Sequence, residues 1–248
     1  MKFINMQYMK HLSGGVRKIV IGVTGLFLIL LGHTSFGQTG NINDIPTLGG
    51  MLPNNFNINK VVSEKNVTGS FYLNQEWTET DVYLVMDSMV LKGIQTRIDL
   101  RNNLLEVKLK EEIKVLPSFR IKSFFYPKSK TVFLTKNALK VEQNGFYKVI
   151  VDGDKSLFCR YDTKILRSNY NVQMAVGDKE DKIIKDKIYF LFSNNNLIKL
   201  NKTRRKLEKQ FKSKPVAQDY INTHKTNPKD EYSLIQFVDY LNTNKVQL

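Results

Sequence analysis

Residues 94–100 of this chain read Ile94-Gln95-Thr96-Arg97-Ile98-Asp99-Leu100, and residues 105–109 read Leu105-Glu106-Val107-Lys108-Leu109. In both stretches, apolar residues and one threonine alternate with charged or amide side chains. This period of two predicts strands with one buried and one solvated face. A turn at Asn102-Asn103 pairs Leu100 with Leu105 and Ile98 with Val107 on the buried face. The pattern therefore predicts an antiparallel hairpin within a β-rich body.

Strand-like composition continues along the chain after this hairpin. Turn signals such as Asn144-Gly145 and Asp152-Gly153 separate most of the runs, at spacings typical of an antiparallel meander. The further predicted strands are residues 113–116, 119–125, 131–136, 146–151, 156–165, 187–192 and 197–200. We therefore expect a curved sheet or a barrel over residues 69–200.

The C-terminal residues 201–248 favour helices. Asn227 can cap a helix that Pro228 opens, and apolar residues at helical spacing follow. Two shorter helices are predicted at residues 202–211 and 216–224. The expected fold class is α+β and predominantly β: an antiparallel meander followed by about three C-terminal helices that pack on the same domain.

The N-terminal segment has the layout of a secretory signal peptide. Four cations precede an apolar run from Ile19 to Leu31, and the small residues Ser35 and Gly37 complete a cleavage site. After cleavage behind Gly37, residues 38–68, rich in Asn, Gly and Pro, would form a weakly ordered leader. An uncleaved anchor is the alternative, although the run is shorter than the roughly 20 residues that span a bilayer. We therefore expect an exported protein, periplasmic or extracellular.

The chain is strongly basic. Loss of the four N-terminal cations would lower its net charge from +15 to +11, and residues 199–214 hold eight cations with a single acid, Glu208. A solvated helix face accounts for such a run. The alternative is a polyanion contact, which for an exported protein means anionic lipid headgroups, lipopolysaccharide or an acidic glycan rather than nucleic acid. The candidate polyanion-binding residues are Lys202, Arg204, Arg205, Lys206 and Lys209.

Few residues of the mature chain carry catalytic chemistry. His224 is its only histidine, so neither a His-spaced zinc site nor a Ser-His-Asp triad is indicated. The chain also lacks a P-loop and a Gly-x-Gly-x-x-Gly motif. We therefore expect no metal and no cofactor. The single cysteine, Cys159, lies in a predicted strand and favours core packing, with a reactive or intermolecular thiol as the alternative.

One pair of carboxylates is a candidate for catalysis. In the predicted register, Asp99 and Glu106 are directly opposite each other, with Cβ atoms about 5 Å apart. Paired carboxylates at this range can hydrolyse glycosides. The competing interpretation is an alternating charge ladder on the solvated face, because Arg97 and Lys108 form the next pair.

Several strand-and-turn motifs resemble a family of uncharacterised secreted proteins from Bacteroidota. The resemblance covers roughly residues 69–242 and rests on motifs such as Gly69-Ser70-Phe71-Tyr72-Leu73-Asn74, Gly145-Phe146-Tyr147-Lys148-Val149 and Asp230-Glu231-Tyr232-Ser233-Leu234-Ile235. It implies an envelope location, a β-rich body and a helical C-terminus, and no activity. Proteins of this group can carry sugars on Asp-Ser/Thr-apolar triplets. Asp87-Ser88-Met89 fits that pattern, which makes Ser88 a candidate O-glycosylation site, with an ordinary turn as the alternative.

Three functional hypotheses follow from these observations. The first is an exported binding or structural module, because the chain offers surfaces and no catalytic constellation. The second is a hydrolase that uses Asp99 and Glu106. The third is a peripheral membrane-surface protein that uses the basic C-terminal helix. Aromatic residues at positions 71, 72 and 77 favour strand packing, with stacking on sugar or peptide as the alternative.

Overall fold

The strands form one open, curled sheet, and the longer helices lie towards the C-terminus. The computed structural model describes residues 39–40, 67–86, 89–110, 112–171 and 173–247. The strands are β1 Thr39–Gly40, β2 Val67–Thr68, β3 Thr78–Leu84, β4 Val90–Asp99, β5 Leu104–Leu109, β6 Glu112–Pro117, β7 Ile121–Tyr126, β8 Thr131–Thr135, β9 Phe146–Val151, β10 Ser156–Leu166, β11 Asp181–Ser193 and β12 Asn196–Lys199. The helices are α1 Lys136–Leu139, α2 Arg204–Gln210, α3 Pro215–Thr223 and α4 Glu231–Thr243, with a 3-10 turn at Ser118–Arg120.

The sheet joins two antiparallel meanders. Its strand order is β12-β11-β10-β9-β8-β7-β3-β4-β5-β6, so pairing between β3 and β7 connects the meander β3 to β6 with the meander β7 to β12. The short strands β1 and β2 add in parallel to β4 and β11. The predicted predominantly β fold with C-terminal helices is confirmed, and of the two predicted architectures the curved sheet is the one observed.

The hairpin that the sequence predicts is present, but its register is shifted. Ile98 pairs with Leu105, Arg97 with Glu106, and Asp99 with Leu104. The predicted pairing of Asp99 with Glu106 is therefore wrong. The physical reason is a longer turn: Asp99 accepts the backbone N–H groups of Arg101 and Asn102 at 2.9 and 3.2 Å, which stabilises a wider loop than a two-residue turn.

Two clusters of buried apolar side chains lie on the same face of the sheet, while Tyr147, Phe158 and Phe190 are buried on the other face. The curl cluster fills the inside of β3 to β8, where the Phe124 ring stacks on Phe133 at 4.8 Å. The helix cluster lies between β9 to β12 and the helices α2 to α4, and includes Leu157, Leu207 and Phe237. Tyr161 of β10 is half-buried and packs against both clusters. One continuous sheet face thus supports both parts of the core.

The C-terminal helices agree closely with the predicted positions. Leu207 and Phe237, on the apolar faces of α2 and α4, are fully or nearly fully buried. The capping residue of α4 differs from the prediction: the Asp230 carboxylate accepts the Ser233 N–H at 2.8 Å and caps the helix, whereas Asn227 accepts the Lys229 N–H. Asp230 therefore ends the loop, and the expected cap at Asn227 is wrong.

Candidate ligand-binding cavity

Strand β10 continues beyond the end of its neighbour β9. Its register with β9 runs from Leu157 to Arg160, which pairs with Tyr147, while its register with β11 continues to Leu166. From Tyr161 onwards, β10 therefore has β11 on one side and no paired strand on the other among the described residues. Unpaired ladder groups at such an edge are open to other hydrogen-bond partners.

A short segment, residues 67–73, makes backbone contacts with strands of both meanders. Val67 and Thr68 pair with β11. Further along, Phe71 accepts the Leu100 N–H, and Leu73 donates its N–H to Ile98, both at 3.0 Å. This closing segment brings the turn between β4 and β5 near the open edge of β10.

A cavity of about 480 Å³ lies between that turn and the edge of β10. This volume is within the range of small-molecule sites. The lining is mostly polar and comes from the closing segment, the β4–β5 turn, the loop before β9 and the second half of β10: Phe71, Leu100, Arg101, Asn103, Gln143, Asn144, Arg160, Asp162, Thr163, Lys164 and Ile165. The cavity thus collects residues that are distant in sequence at one place in the fold.

Arg160 is the buried cation of the cavity. Its side chain lies over the ring of Phe190, and its Nε and Nη2 each donate to the Asp162 carboxylate at 2.9 Å. Nη1 lies 2.7 Å from the side-chain oxygen of Gln143 when that amide is oriented to accept from it, and 3.4 Å from the Asn144 carbonyl. The only acid in the lining is therefore neutralised by a bidentate ion pair.

The remaining charges of the lining are positive. Arg101 lies in the β4–β5 turn with its guanidinium 4.6 Å from the centre of the Phe71 ring. Lys164 is exposed on β10. Lys164 thus adds a positive charge to a lining in which Arg160 and Asp162 balance each other. Such a site attracts carboxylate or phosphate groups.

Gly145 leaves the space that Arg160 occupies. A Cβ atom at this position would lie 2.7 Å from the Arg160 Cδ, and Gly145 has φ of +140°. The sequence signal Asn144-Gly145 predicts only a turn. In the structure, the glycine also permits the arginine stem to cross the start of β9.

Two carboxylates lie directly across the β10–β11 ladder, Asp162 and Asp186. Like charges at this position repel. Each has its own cation: Arg160 pairs with Asp162, and Lys202 donates to Asp186. The hydrogen bond from Lys202 is the main cause that lowers the pKa of Asp186 below its ordinary value of 3.8. The ion pairs therefore offset the repulsion between the two carboxylates.

The structure does not combine Asp99 and Glu106 into a catalytic pair. Glu106 accepts the Tyr72 hydroxyl at 3.0 Å through Oε1, and Arg97 Nη2 at 2.6 Å through Oε2. Asp99 accepts two backbone N–H groups and the Asn102 amide. Every carboxylate oxygen thus has a donor. Burial, and then the bond to Glu106, raise the pKa of Tyr72 to about 12. The geometry supports a structural role for these hydrogen bonds and gives no support to acid–base chemistry at these carboxylates.

The basic residues in α2 and just before it divide into those with an ion pair and those without one. Lys202 pairs with Asp186, and Arg204 donates to Glu208 at 2.8 Å. Arg205, Lys206 and Lys209 are exposed and make no ion pair within the described part of the chain. The run is consistent with the solvated helix face that the sequence predicts: all five candidate polyanion-binding residues are exposed, and three of them make no ion pair within the described residues.

A polar group of side chains lies between β9–β11 and the first turn of α4, where sequence reasoning placed nothing. Glu231 accepts the Tyr189 hydroxyl at 3.2 Å and Lys187 at 3.3 Å. The fully buried thiol of Cys159 is close by, and burial raises its pKa to about 11. This thiol is protonated at neutral pH, so the structure supports core packing for Cys159.

The other candidate residues have simpler surroundings. His224 is exposed after α3, and its ring stacks on Tyr220 at 4.0 Å. Ser88 and the predicted signal peptide lie outside the described residues. Within the described ranges, no helix has the length and hydropathy to cross a membrane. Nor do those ranges bring together three or more His, Cys, Asp or Glu side chains in a metal-binding group.

Sequence reasoning missed the residues that form the cavity. Phe71 was noted as an aromatic and Asn144-Gly145 as a turn, but Arg160 and Asp162 read as ordinary strand residues. Their one signal is the i, i+2 spacing of an arginine and an aspartate, which places both side chains on one face of a strand. That spacing alone says nothing about the distant turn that completes the site.

The chain matches no protein-family model, no curated protein and no solved structure in the comparisons with known proteins. The interpretation of the cavity therefore rests on its own geometry.

Proposed function

We propose that this protein is an exported binding module whose cavity beside β10 holds an anionic ligand. The observation that carries the proposal is the charge of the lining: the exposed Lys164 lies beside the only acid of the lining, Asp162, which is already paired with Arg160. A ligand carboxylate or phosphate would pair with Lys164 there. The proposal that the protein is exported rests on the signal-peptide layout of its N-terminal segment.

The polar lining supports binding rather than catalysis. Amide side chains from Asn103, Gln143 and Asn144 and the hydroxyl of Thr163 offer hydrogen bonds in addition to the two cations. No histidine or thiol is part of the lining. A site of this composition fixes the orientation of a polar ligand and supplies no nucleophile with an adjacent base.

Calorimetric titration of the mature protein tests the proposal with three anionic probes: digalacturonate, inorganic phosphate and an acidic pentapeptide. We expect at least one probe to bind, with an affinity that falls as salt is added. The double variant Arg101→Gln/Lys164→Gln should bind it at least tenfold more weakly. Lys92→Gln, an exposed lysine of β4 outside the cavity, is the matched control and should bind as the wild type does.

Two results would overturn the proposal. One is that none of the three probes binds to the folded protein. The other is that a probe binds with equal affinity to the wild type and the double variant, because the cavity cations would then have no part in recognition.

A second candidate function has separate support. Arg205, Lys206 and Lys209 present three cations without ion-pair partners in the described part of the chain, and α2 holds its buried Leu207 against the sheet. We infer that this face contacts a polyanionic surface such as anionic lipid headgroups, lipopolysaccharide or an acidic glycan.

Sedimentation with vesicles of phosphatidylglycerol and phosphatidylcholine tests this surface. Binding should fall steeply between low and physiological salt and should be lost in Arg205→Gln/Lys206→Gln/Lys209→Gln. Binding that is insensitive to salt, or unchanged in the triple variant, would rule out the lipid surface. The cavity variants serve as the control, since they leave this helix unchanged.

A further inference from the structure

Phe71 gives the cavity an aromatic surface. It is the only aromatic residue in the described lining, and the Arg101 guanidinium lies over its ring at 4.6 Å from the centre. Its carbonyl accepts the Leu100 N–H at 3.0 Å. Gly69, two residues earlier, packs so closely on β11 that a Cβ atom there would lie 2.9 Å from the Ile183 carbonyl oxygen. The backbone therefore holds the ring in place before a ligand binds, which lowers the entropy cost of binding.

An aromatic surface in a polar cavity suits the ring of a sugar. The face of an aromatic ring carries negative charge density and attracts the positive ends of polarised bonds. A sugar ring presents several polarised C–H groups on one side and hydroxyls around its rim. Such a ring can stack on Phe71 while its hydroxyls remain available to the polar residues of the lining.

Three side chains around the cavity have hydrogen-bonding groups to offer. Asn103 in the β4–β5 turn, Asn144 in the loop before β9 and Thr163 on β10 line it, and none of these side chains bonds to another described residue. Amides and hydroxyls both donate and accept, whereas an ionised carboxylate only accepts. A peptide backbone offers one donor and one acceptor per residue. A sugar offers several hydroxyls on one ring, which suits three polar side chains around one small cavity.

Lys164 supplies the charge that separates an acidic sugar from a neutral one. Its side chain is exposed and makes no ion pair within the described residues. The neighbouring Asp162 is already paired with Arg160. Asp186, which also lies near Lys164, accepts a hydrogen bond from Lys202. Lys164 is therefore available to a ligand carboxylate.

We propose that the ligand of the cavity is an acidic sugar, a uronic acid of a short oligosaccharide, which stacks on Phe71 and pairs its carboxylate with Lys164. This inference rests on the proposed anionic binding function and names its ligand class. The sugar hydroxyls bind the side chains of Asn103, Asn144 and Thr163, which fix the orientation of the ring. A neutral sugar lacks the ion pair, and inorganic phosphate or an acidic peptide has no ring to stack on Phe71.

Matched disaccharides test the ligand class. Calorimetry compares digalacturonate with galactobiose, and dimannuronate with mannobiose, each pair having the same linkage and differing only in its carboxylates. We expect at least one acidic disaccharide to bind about tenfold more tightly than its neutral counterpart, or better. Lys164→Gln should abolish this preference, and Lys92→Gln, outside the cavity, should keep it. Failure of both acidic disaccharides to bind would overturn the proposal.

The stacking contact has a test of its own. Phe71→Leu removes the ring but keeps an apolar side chain, and should weaken binding of the acidic disaccharide by about fivefold to tenfold. Phe119→Leu, which alters an exposed aromatic residue outside the cavity, is the matched control. In the wild type, NMR saturation of the aromatic protons should transfer to the C–H protons of the bound sugar. Absence of that transfer, or unchanged affinity in Phe71→Leu, would overturn the stacked sugar.

The outcomes separate this inference from the function on which it rests. If inorganic phosphate or the acidic pentapeptide binds through Lys164 while neither acidic disaccharide binds, the anionic cavity stands and the sugar is overturned. If the neutral disaccharides bind as tightly as the acidic ones, charge has no part in recognition and both proposals fail. Both also fail if no probe binds.

Discussion

Gly145 is the residue on which the shape of the cavity depends most directly. Its positive φ and the closeness of the Arg160 stem both exclude a side chain. We expect Gly145→Ala to destabilise the fold by about 1–3 kcal/mol, because backbone strain and a displaced arginine act together. Chemical denaturation measures the stability. The variant should also weaken binding of any ligand held by the cavity.

Gly93 provides the matched control for this substitution. It too has a positive φ, of +64°, but a Cβ atom there would meet nothing within 4 Å. Gly93→Ala should therefore cost only about 1 kcal/mol and leave ligand binding unchanged. If the two variants were equally destabilised and equally able to bind, the contact between Gly145 and Arg160 would have no importance.

The pKa of Asp186 depends on its ion pair with Lys202. We expect Lys202→Gln to raise the pKa of the Asp186 carboxyl, since it removes the hydrogen bond that lowers it. Carbon-detected NMR titration of the carboxyl groups measures this change. Lys206→Gln, which removes an exposed and unpaired cation, is the control. An unchanged pKa in Lys202→Gln would contradict the assigned ion pair.

The same pair defines a small pH dependence of stability. The pKa of Asp186 is lower in the folded state than in the unfolded chain, so its contribution is present above the ordinary value of 3.8. The contribution is lost as the pH falls through the lowered value. Because both side chains are more than one-third exposed, it amounts to less than about 1 kcal/mol.

The sequence predicts the bounds of those strands and helices that local interactions determine. Strand β9 was predicted at its observed bounds, and β10 and α3 to within one residue. The two-residue periodicity also marked the β4–β5 hairpin. The turn at Asp99 was not predictable in the same way, because a side-chain carboxylate widened the loop and shifted the register.

The cavity was less predictable than the elements around it. Arg160 and Arg101 are brought together by the β3–β7 pairing and by the closing segment, and both are long-range features of the sheet. Sequence periodicity specifies which face of a strand is buried, but it does not specify which strands become neighbours. Asp99 and Glu106 could be predicted as a candidate pair because they are close in sequence and lie in one hairpin.

The stability of helix α4 depends on the residue that caps its first turn. Its capping residue, Asp230, accepts a backbone N–H of the first turn. The buried face of the helix contributes four residues to the helix cluster: Leu234, Phe237, Val238 and Leu241. Asp230→Ala should lower the free energy of unfolding by about 1 kcal/mol. Urea denaturation measures the loss. Gln236→Ala, an exposed position of the same helix, should change stability little; an equal loss in both variants would contradict the capping role.

For the whole molecule, the question is whether the curl and the helical half unfold together. Both apolar clusters lie on one sheet face because Cys159, Lys148 and Phe133 are successive cross-strand partners. All described residues belong to one compact unit. A continuous sheet with a shared contact at Tyr161 favours a single cooperative transition.

Two probes can follow the two halves of the core separately. Trp77 is the only tryptophan, and its ring lies 4.6 Å from the Arg97 guanidinium at the curl. Far-UV circular dichroism reports chiefly on the helices. We expect the fluorescence and dichroism midpoints to coincide in urea. Tyr161→Ala should lower both midpoints together and reduce the free energy of unfolding by about 1–2 kcal/mol, because the side chain is half-buried between the clusters. The exposed Tyr232→Ala is the control. Separate midpoints in the wild type would show that the two halves fold independently, and a Tyr161→Ala effect confined to one probe would show that this residue does not connect them.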